Sequence, residues 1–431
     1  MPIHFRKLRH WVACIIRAII VWVIFMKKIW MYLLVLVILL SACDLVNRTP
    51  GHPAQTKTPS STDQPVGGLK DIKLPAGHGV RGSWFELYFT DPTSTLALQE
   101  TGGPDGPLAA AIDAARLSVD MAIYSLSLNS IRDALLRAHD RGVQVRLVME
   151  SDNLDRSDPR KLMDAGIPVL GDRREGLMHN KFTVIDHVEV WTGSMNYTDA
   201  GTYQDNNDLM RIRSAEMAED YTREFEEMFT DDKFGPDVVA QTPHPRVTID
   251  ATPIDVYFAP DDKVQASFVD LLNNAQKSID FLAFSFTADE LGAAVRARAA
   301  HGVKVRGVME DDQINSNVGT EFDPFMQARL DVLRDGNPGQ MHHKVMILDG
   351  SIVLFGSYNF TNSAELRNDE NLLVIYDKAI AEQFLVEFDR VYAQAKQERL
   401  AIHIESADTS RFSFPARDLL RIVIAISTKM D

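Results

Sequence analysis

The sequence predicts an α/β fold built from two copies of one lobe, and three observations predict it. The stretch from Ile112 to Asn153 aligns without a gap with the stretch from Leu272 to Gln313, at an offset of 160 residues. Each copy runs as an apolar segment, a helical pattern that closes near a glycine, and a second apolar segment. These are Val119–Tyr124, Leu128–Arg141 and Val143–Met149 in the first copy, and Ile279–Phe284, Ala288–His301 and Val303–Met309 in the second. That order is a strand-helix-strand unit with parallel pairing. Each copy then continues into a second pair of apolar runs that carries the same polar residues at the same spacing.

Composition narrows the class. The chain has 431 residues, 45 Lys plus Arg against 60 Asp plus Glu, a net charge of −15, 45% hydrophobic residues and 8% aromatics. These values exclude a disordered chain, a disulfide-stapled miniprotein and a polytopic membrane protein. The only cysteines, Cys14 and Cys43, lie near the N-terminus, so the body holds neither disulfides nor thiolate metal sites. Residues 1–42 contain six basic residues and no acid, which leaves −21 for the remainder. Such a charge repels polyanions and lowers the expectation of a general nucleic-acid binder.

Residues 1–43 read as an export signal. Met26-Lys27-Lys28 precedes an unbroken apolar run, Ile29 to Leu40, and then Leu40-Ser41-Ala42-Cys43. The run is too short to span a bilayer and suits a signal-peptide core. Ahead of it, Trp11 to Phe25 is a second apolar stretch broken by Arg17, and Met26 is an alternative initiator. Residues 44–82, rich in Pro, Thr, Ser and Gly, read as a flexible linker. The first lobe is expected over 83–245, the second over 246–400, and a tail over 401–431. Leu419 to Ile426 is apolar apart from Arg421 and too short to cross a membrane.

The chemistry is expected in the paired runs. The first reads MHNKFTVIDHVEVWTGSMNYT and the second MHHKVMILDGSIVLFGSYNFT. They supply His179, Lys181, Asp186, Gly193, Ser194 and Asn196, and His342, Lys344, Asp349, Gly356, Ser357 and Asn359, with 15 residues from His to Ser in both. Alternation in a strand puts His and Lys on one face, and Ser and Asn on one face of the returning strand. Turns near Asp186-His187 and at Asp349-Gly350 close the hairpins. Asp186 and Asp349 end their strands and are expected to support the turn rather than take part in chemistry. No carboxylate cluster accompanies the histidines and each has a lysine beside it, so a metal reading is weak. Lys and Asn donate to an anion's oxygens while His attacks or protonates, which suits phosphoryl transfer without a metal or other cofactor. Upstream, Arg156, Arg160, Lys161, Arg173 and Arg174 form either a solvated face or a collar for a phosphate.

These motifs resemble the HxKxxxxDxxxxxxGSxN pattern of the phospholipase D superfamily, from about Trp84 to Gln397. The resemblance implies two α-β-α lobes brought together about a pseudo-twofold axis, with both His-Lys pairs at one site. It implies that one His becomes a phosphohistidine, while the other protonates the leaving alcohol and later activates water. The superfamily includes phospholipases, cardiolipin synthases and nucleases, so the pattern fixes mechanism better than substrate. The segment before Cys43 resembles the bacterial lipobox, which implies lipidation of Cys43 and an exported, membrane-anchored lipoprotein.

The family pattern also carries a downstream Asn-x-Glu whose Glu holds the catalytic His. Asn368 and Glu370 match it in the second copy, whereas the first has Asn207 at the same offset, with Asp205 and Asp208 beside it. Placed beside His342, Glu370 would favour the imidazolium, and an amide beside His179 would leave that ring neutral. His179 is therefore expected as nucleophile and His342 as general acid, with Asp208 able to replace the missing carboxylate. The expected activity is hydrolysis of phospholipid phosphodiesters by a monomer, since one chain holds both motifs. The alternatives are an endonuclease or phosphatidyl transferase of the same mechanism, and a non-catalytic anion- or lipid-binding scaffold.

Overall fold

The computed structural model describes the backbone of residues 68–408 and the side chains of 68–399. The signal region, Cys43, most of the linker and the 419–426 stretch lie outside the described residues. The first half opens with β1 (Lys70–Ile72), β2 (Gly77–Arg81) and β3 (Phe85–Thr90), then α1 (Asp105–Ala114), β4 (Ser118–Ile123), α2 (Asn129–Asp140) and β5 (Gln144–Met149). It continues through α3 (Ser157–Asp164), β6 (Val169–Gly171), the hairpin β7 (Lys181–Ile185) and β8 (Glu189–Gly193), α4 (Asp199–Tyr203), β9 (Asp208–Arg213) and α5 (Ala215–Phe229). Among the described residues these strands form one mixed sheet in the order β1-β2-β3-β9-β8-β7-β4-β5-β6, with β4 and β5 parallel.

The second half repeats the plan. It runs β10 (Arg246–Ile249), β11 (Thr252–Ala259), α6 (Val264–Asn274), β12 (Ser278–Ala283), α7 (Asp289–Ala300) and β13 (Lys304–Met309). Next come α8 (Asp311–Ser316), α9 (Phe322–Gln327), β14 (Asp331–Arg334), β15 (Lys344–Leu348), β16 (Ile352–Gly356), α10 (Asn362–Leu366), β17 (Glu370–Ile375) and α11 (Lys378–Asp408). Its sheet order is β10-β11-β17-β16-β15-β12-β13-β14, with β12 and β13 parallel as the repeat predicts. The first sheet begins earlier than the sequence implies. β1 is short and polar and β2 contains two glycines, so composition alone reads them as linker, but β2 pairs with β3 over five residue pairs. At the other end α11 runs past residue 400 into the expected tail.

Three cores hold these layers. Leu108, Ile112, Ile131 and Leu135 of α1 and α2 cover Met121 and Leu147 on the outer face of the first sheet, and Phe268, Leu291 and Val295 cover Phe281 in the second. The opposite faces share one continuous core that contains Phe182, Met210, Tyr221 and Phe225 from the first half and Phe258, Val345, Phe355 and Phe384 from the second. Burial on both faces explains why the strands read as unbroken apolar runs. The fully buried Asp120 at the inner face is neutralised by Arg146, whose Nε lies 2.7 Å away and whose guanidinium covers Phe225. Asp280 and Arg306 repeat that pair at 2.6 Å, with Arg306 over Phe388. This explains the matching Asp120 and Asp280 of the sequence repeat.

The hairpin turns have positive φ at both central residues, Asp186 and His187 in one, Asp349 and Gly350 in the other, as the hairpin-favoured type I′ turn requires. Asp186 accepts from the backbone N–H groups of Arg116, Leu117 and Ser118, and Asp349 from those of Gln276, Lys277 and Ser278. Each aspartate therefore ties its turn to the start of the neighbouring strand. Asp186→Ala or Asp349→Ala strands three donors and is expected to cost about 1–3 kcal/mol in denaturant unfolding; an unchanged midpoint would remove this role. Burial opposes ionisation of Asp349, but its backbone donors prevail and hold the carboxyl below its ordinary value. Its contribution to stability should be present above about pH 4 and lost as pH falls through the lowered folded value.

Candidate active site

His179 and His342 precede β7 and β15, and Asn196 and Asn359 follow β8 and β16, so these residues sit just beyond the strand ends rather than within the strands. Each motif is drawn to the other half by a short parallel bridge, Met178 with Asp369 and Asn206 with Met341. The His179 N–H donates to Asp369 O at 3.0 Å, and the His342 N–H to Asn206 O at 3.0 Å. The reciprocity makes a pseudo-twofold exchange. The segment ahead of each histidine pairs with the segment that follows the motif of the other half.

That exchange corrects the expected partners. Glu370 lies on His179, its Oε2 2.8 Å from Nδ1, and not on His342. His342 Nδ1 is 2.9 Å from Asn207 Oδ1. The Asn207 amide donates at 2.8 Å to Gly201 O, which leaves its oxygen facing the histidine. Nor does Asp208 replace a carboxylate at His179: its Oδ2 lies 2.7 Å from Nδ1 of His343. Asn368 supports the first pair, accepting from the Leu177 N–H at 3.2 Å and donating to Glu370 Oε1 at 3.4 Å.

The lysines lie beneath the histidines. Lys181 Nζ donates to His179 O at 2.6 Å and Lys344 Nζ to His342 O at 2.7 Å, and both side chains are essentially inaccessible. Burial lowers Lys181 to about 7 against the pull of Glu370. Burial and then Lys181 push Lys344 well below its ordinary value. Burial and mutual repulsion thus oppose charge on both lysines, and an anion entering the site would restore it. The histidines respond in the same direction. Burial takes His179 down to about 4 despite Glu370, while burial, Lys344 and Lys181 take His342 well below 6.5. That His342 senses Lys181 and His179 as well as Lys344 places both pairs at one site.

The amide oxygens of Asn196 and Asn359 are buried without a hydrogen-bond partner. The serines are already committed. Ser194 Oγ accepts from the Asp208 N–H at 3.0 Å and lies 2.8 Å from Asn207 Oδ1, while Ser357 Oγ accepts from the Asn371 N–H at 2.9 Å. They clasp the following strand and so support the site.

Sequence reasoning missed several residues. The rings of Tyr124 and Phe284 stand edge-on to His179 and His342, with centroids 5.1 and 4.6 Å away, and Lys181 and Lys344 lie over the same two rings. Glu150 and Glu310 accept from the N–H groups of Met178 and Met341, immediately before each histidine. The repeated Val-Met-Glu that ends β5 and β13 was the available signal for the glutamates. Most of the expected basic collar is spent in ion pairs, Arg160 with Asp155, Lys161 with Asp158, Arg173 with Asp232 and Arg174 with Asp369. A separate recess of about 900 Å³ lies beside Glu310, Asp335 and Phe322 and includes neither histidine. Among the described residues no group of three His, Cys, Asp or Glu is spaced to hold a metal.

Comparison with known proteins agrees with this duplication. The model of the family described as cardiolipin synthase, PLD-like domain, matches residues 108–229 and again 268–392. A mitochondrial cardiolipin hydrolase from Chlamydomonas reinhardtii is 34% identical over 129 residues, which is 30% of this chain and 57% of the relative. A phospholipase D from Rickettsia prowazekii is 32% identical over 132 residues, 31% of this chain and 64% of the relative. The chain thus spans somewhat more than half the length of these curated relatives. The crystal structure of a phosphatidylserine synthase from Haemophilus influenzae shares the fold, with a TM-score of 0.53 at 13% identity, covering 75% of this chain and 88% of that one. With each half matched separately by the family model, the chain belongs to the phospholipase D superfamily, in the family of the cardiolipin synthase PLD-like domain.

Proposed function

We propose that the protein is a phospholipase D-type phosphodiesterase that cleaves phospholipids through a phosphohistidine on His179. The observation that carries this reading is the unlike pair of partners, Glu370 on His179 and Asn207 on His342, above two buried lysines. Both histidines are driven toward the neutral form, so resting protonation does not assign their roles and the ground-state argument fails with its premise. Charge development assigns them instead. Attack by Nε2 on phosphorus turns the nucleophile into an imidazolium, whereas the acid loses charge as its proton leaves. Glu370 is placed to stabilise the charge that appears on His179 and to fix the Nδ1–H tautomer. A neutral amide at His342 does not oppose release of a proton.

In this mechanism Lys181, Lys344, Asn196 and Asn359 hold the non-bridging phosphate oxygens. The bond from His179 Nε2 to phosphorus forms as the bond to the leaving oxygen breaks, and His342, protonated on Nε2 once the bound phosphate offsets the lysines, passes that proton to the leaving oxygen. Water then gives a proton to His342 and attacks phosphorus, releasing His179. The acidic charge of the chain and the activities named for its relatives support phospholipid over nucleic acid. Lipidated Cys43 would tether the monomer to a membrane on the extracytoplasmic side.

Four outcomes test this. Residues 65–431 in the presence of chelator should release alcohol from phosphatidylcholine or cardiolipin vesicles and leave single- and double-stranded DNA intact. DNA cleavage with inert lipid would make it an endonuclease, and binding without turnover a scaffold. Glu370→Gln should lower kcat by about 10²-fold or more while the fold is retained; a wild-type rate would dismiss the carboxylate. In His342→Ala, an activated p-nitrophenyl diester should leave an acid-labile adduct on His179, whereas an adduct on His342 in His179→Ala would reverse the roles. Cys43→Ala should abolish incorporation of labelled fatty acid, and equal labelling would refute the anchor.

A further inference from the structure

Beneath each catalytic histidine lies a second, fully buried chain of polar contacts that crosses between the halves, and the two chains differ in chemical kind. In the first half Asn180 stands between His179 and Lys181. Its amide oxygen accepts from Asn371 at 2.8 Å, and its amide nitrogen lies 3.4 Å from Glu224. The Asn371 oxygen accepts from Thr192 at 2.8 Å and from Tyr221 at 3.2 Å. Burial pushes the Glu224 carboxyl well above its ordinary value, so this chain is amide, hydroxyl and carboxylic acid.

In the second half the equivalent place is taken by His343, between His342 and Lys344. Its Nδ1 lies 2.7 Å from Asp208 Oδ2 and its Nε2 3.0 Å from Glu387 Oε1. With both nitrogens on carboxylates, the ring has two acceptors and is satisfied only as the cation. Burial alone would lower His343, but the bonds from Asp208 and Glu387 hold it above the ordinary histidine value. Arg390 sits 2.7 Å from Glu387 and 3.6 Å from Asp91, and His78 lies 3.7 Å from Glu387. Phe355 and Phe384 occupy the places of Thr192 and Tyr221, and the Phe89 ring lies 6.2 Å from His343, so an ionic chain is enclosed in an aromatic shell. Asp208 is joined to Asn207, the residue that holds His342, and its Oδ1 accepts from the Ser194 N–H. Besides burial, Lys344, Lys181, His179 and His343 each hold His342 toward its neutral form.

Resting on the assignment of His342 as proton donor, we propose that His343, clamped between Asp208 and Glu387, is a positioning residue that holds Asn207 against His342 and opposes positive charge there. The two halves of the duplicated site are thereby kept from exchanging roles. His343 touches no substrate in this account. It acts by making His342 the group that surrenders its proton to the leaving oxygen, while the carboxylate side of the site, at His179, carries the phosphoryl group. The first half supplies the control, because Asn180 and Asn371 show that an amide pair packs at the equivalent position.

The test uses the full chain in detergent, ¹⁵N-labelled at histidine, with His343→Asn/Asp208→Asn, which copies the amide pair, and Glu387→Gln, which keeps both partners. In the wild type at pH 7, both His343 nitrogens should report as protonated, and Glu387→Gln should lower the pH at which that proton is lost. In the double variant the protonation midpoint of His342 should rise by about half a unit or more, a factor of about three in the equilibrium. The alkaline limb of phosphatidylcholine turnover, whose alkoxide leaving group needs the His342 proton, should move to higher pH by about the same half unit. Turnover of bis(p-nitrophenyl) phosphate, whose leaving group needs none, should change by less than about twofold. A neutral His343 in the wild type would overturn the proposal without any variant. So would an unmoved His342 midpoint, or an equal loss on both substrates, which a merely structural role would give. If the wild type cleaves neither diester, the catalytic reading fails while the spectra still decide whether His343 governs His342.

Discussion

The structure depends on a reciprocal exchange of backbone at the pseudo-twofold axis. Two parallel bridges, Met178 with Asp369 and Asn206 with Met341, carry each histidine into the other half. The shared apolar core of Phe182, Tyr221, Phe258, Phe355 and Phe384 fixes the distance between the sheets, so the bridges are held by more than their own few hydrogen bonds. Once they form, Glu370 meets His179 and Asn207 meets His342, each across the axis. Lys181 and Lys344 are buried beneath the histidines, their ammonium groups over the rings of Tyr124 and Phe284 and donating to the histidine carbonyls. A site made in this way requires both halves.

Duplication supplies symmetry, and the chemistry requires that it be broken. The break lies in a few substitutions between equivalent positions: Asn207 against Glu370, Asn180 against His343, Asp208 against Asn371, and Glu227 against Arg390. Each changes charge while leaving the backbone plan intact, as the matching registers of β8 with β9 and β16 with β17 show. Low-dielectric surroundings magnify such exchanges, since a buried charge is felt more strongly by its neighbours than one in water.

Much of this was legible in the sequence, and what was not has a physical reason. Strands β4, β5, β12 and β13 and the helices between them are set by local hydropathy, and their expected limits fall within a few residues of the observed ones. The closing turns were legible for the same reason. The partners of the histidines were not, because Glu370 lies 191 positions from His179, and Asn207 135 positions from His342. An offset counted within one copy places each beside the wrong ring. β1 and β2 were missed because Gly77, His78 and Gly79 carry no apolar signal and are ordered only by pairing to β3. The bonds that tie the serines to the next strand were not legible, because they join residues 14 positions apart.

The central claim is that each histidine is held by the other half, and a pair of double-mutant cycles measures it most directly. Unfolding free energies would be compared for Glu370→Gln with His179→Asn, and for Glu370→Gln with His342→Asn. The account predicts a coupling of about 1–3 kcal/mol in the first cycle and additivity within about 0.5 kcal/mol in the second. Coupling of Glu370 to His342 with none to His179 would contradict it.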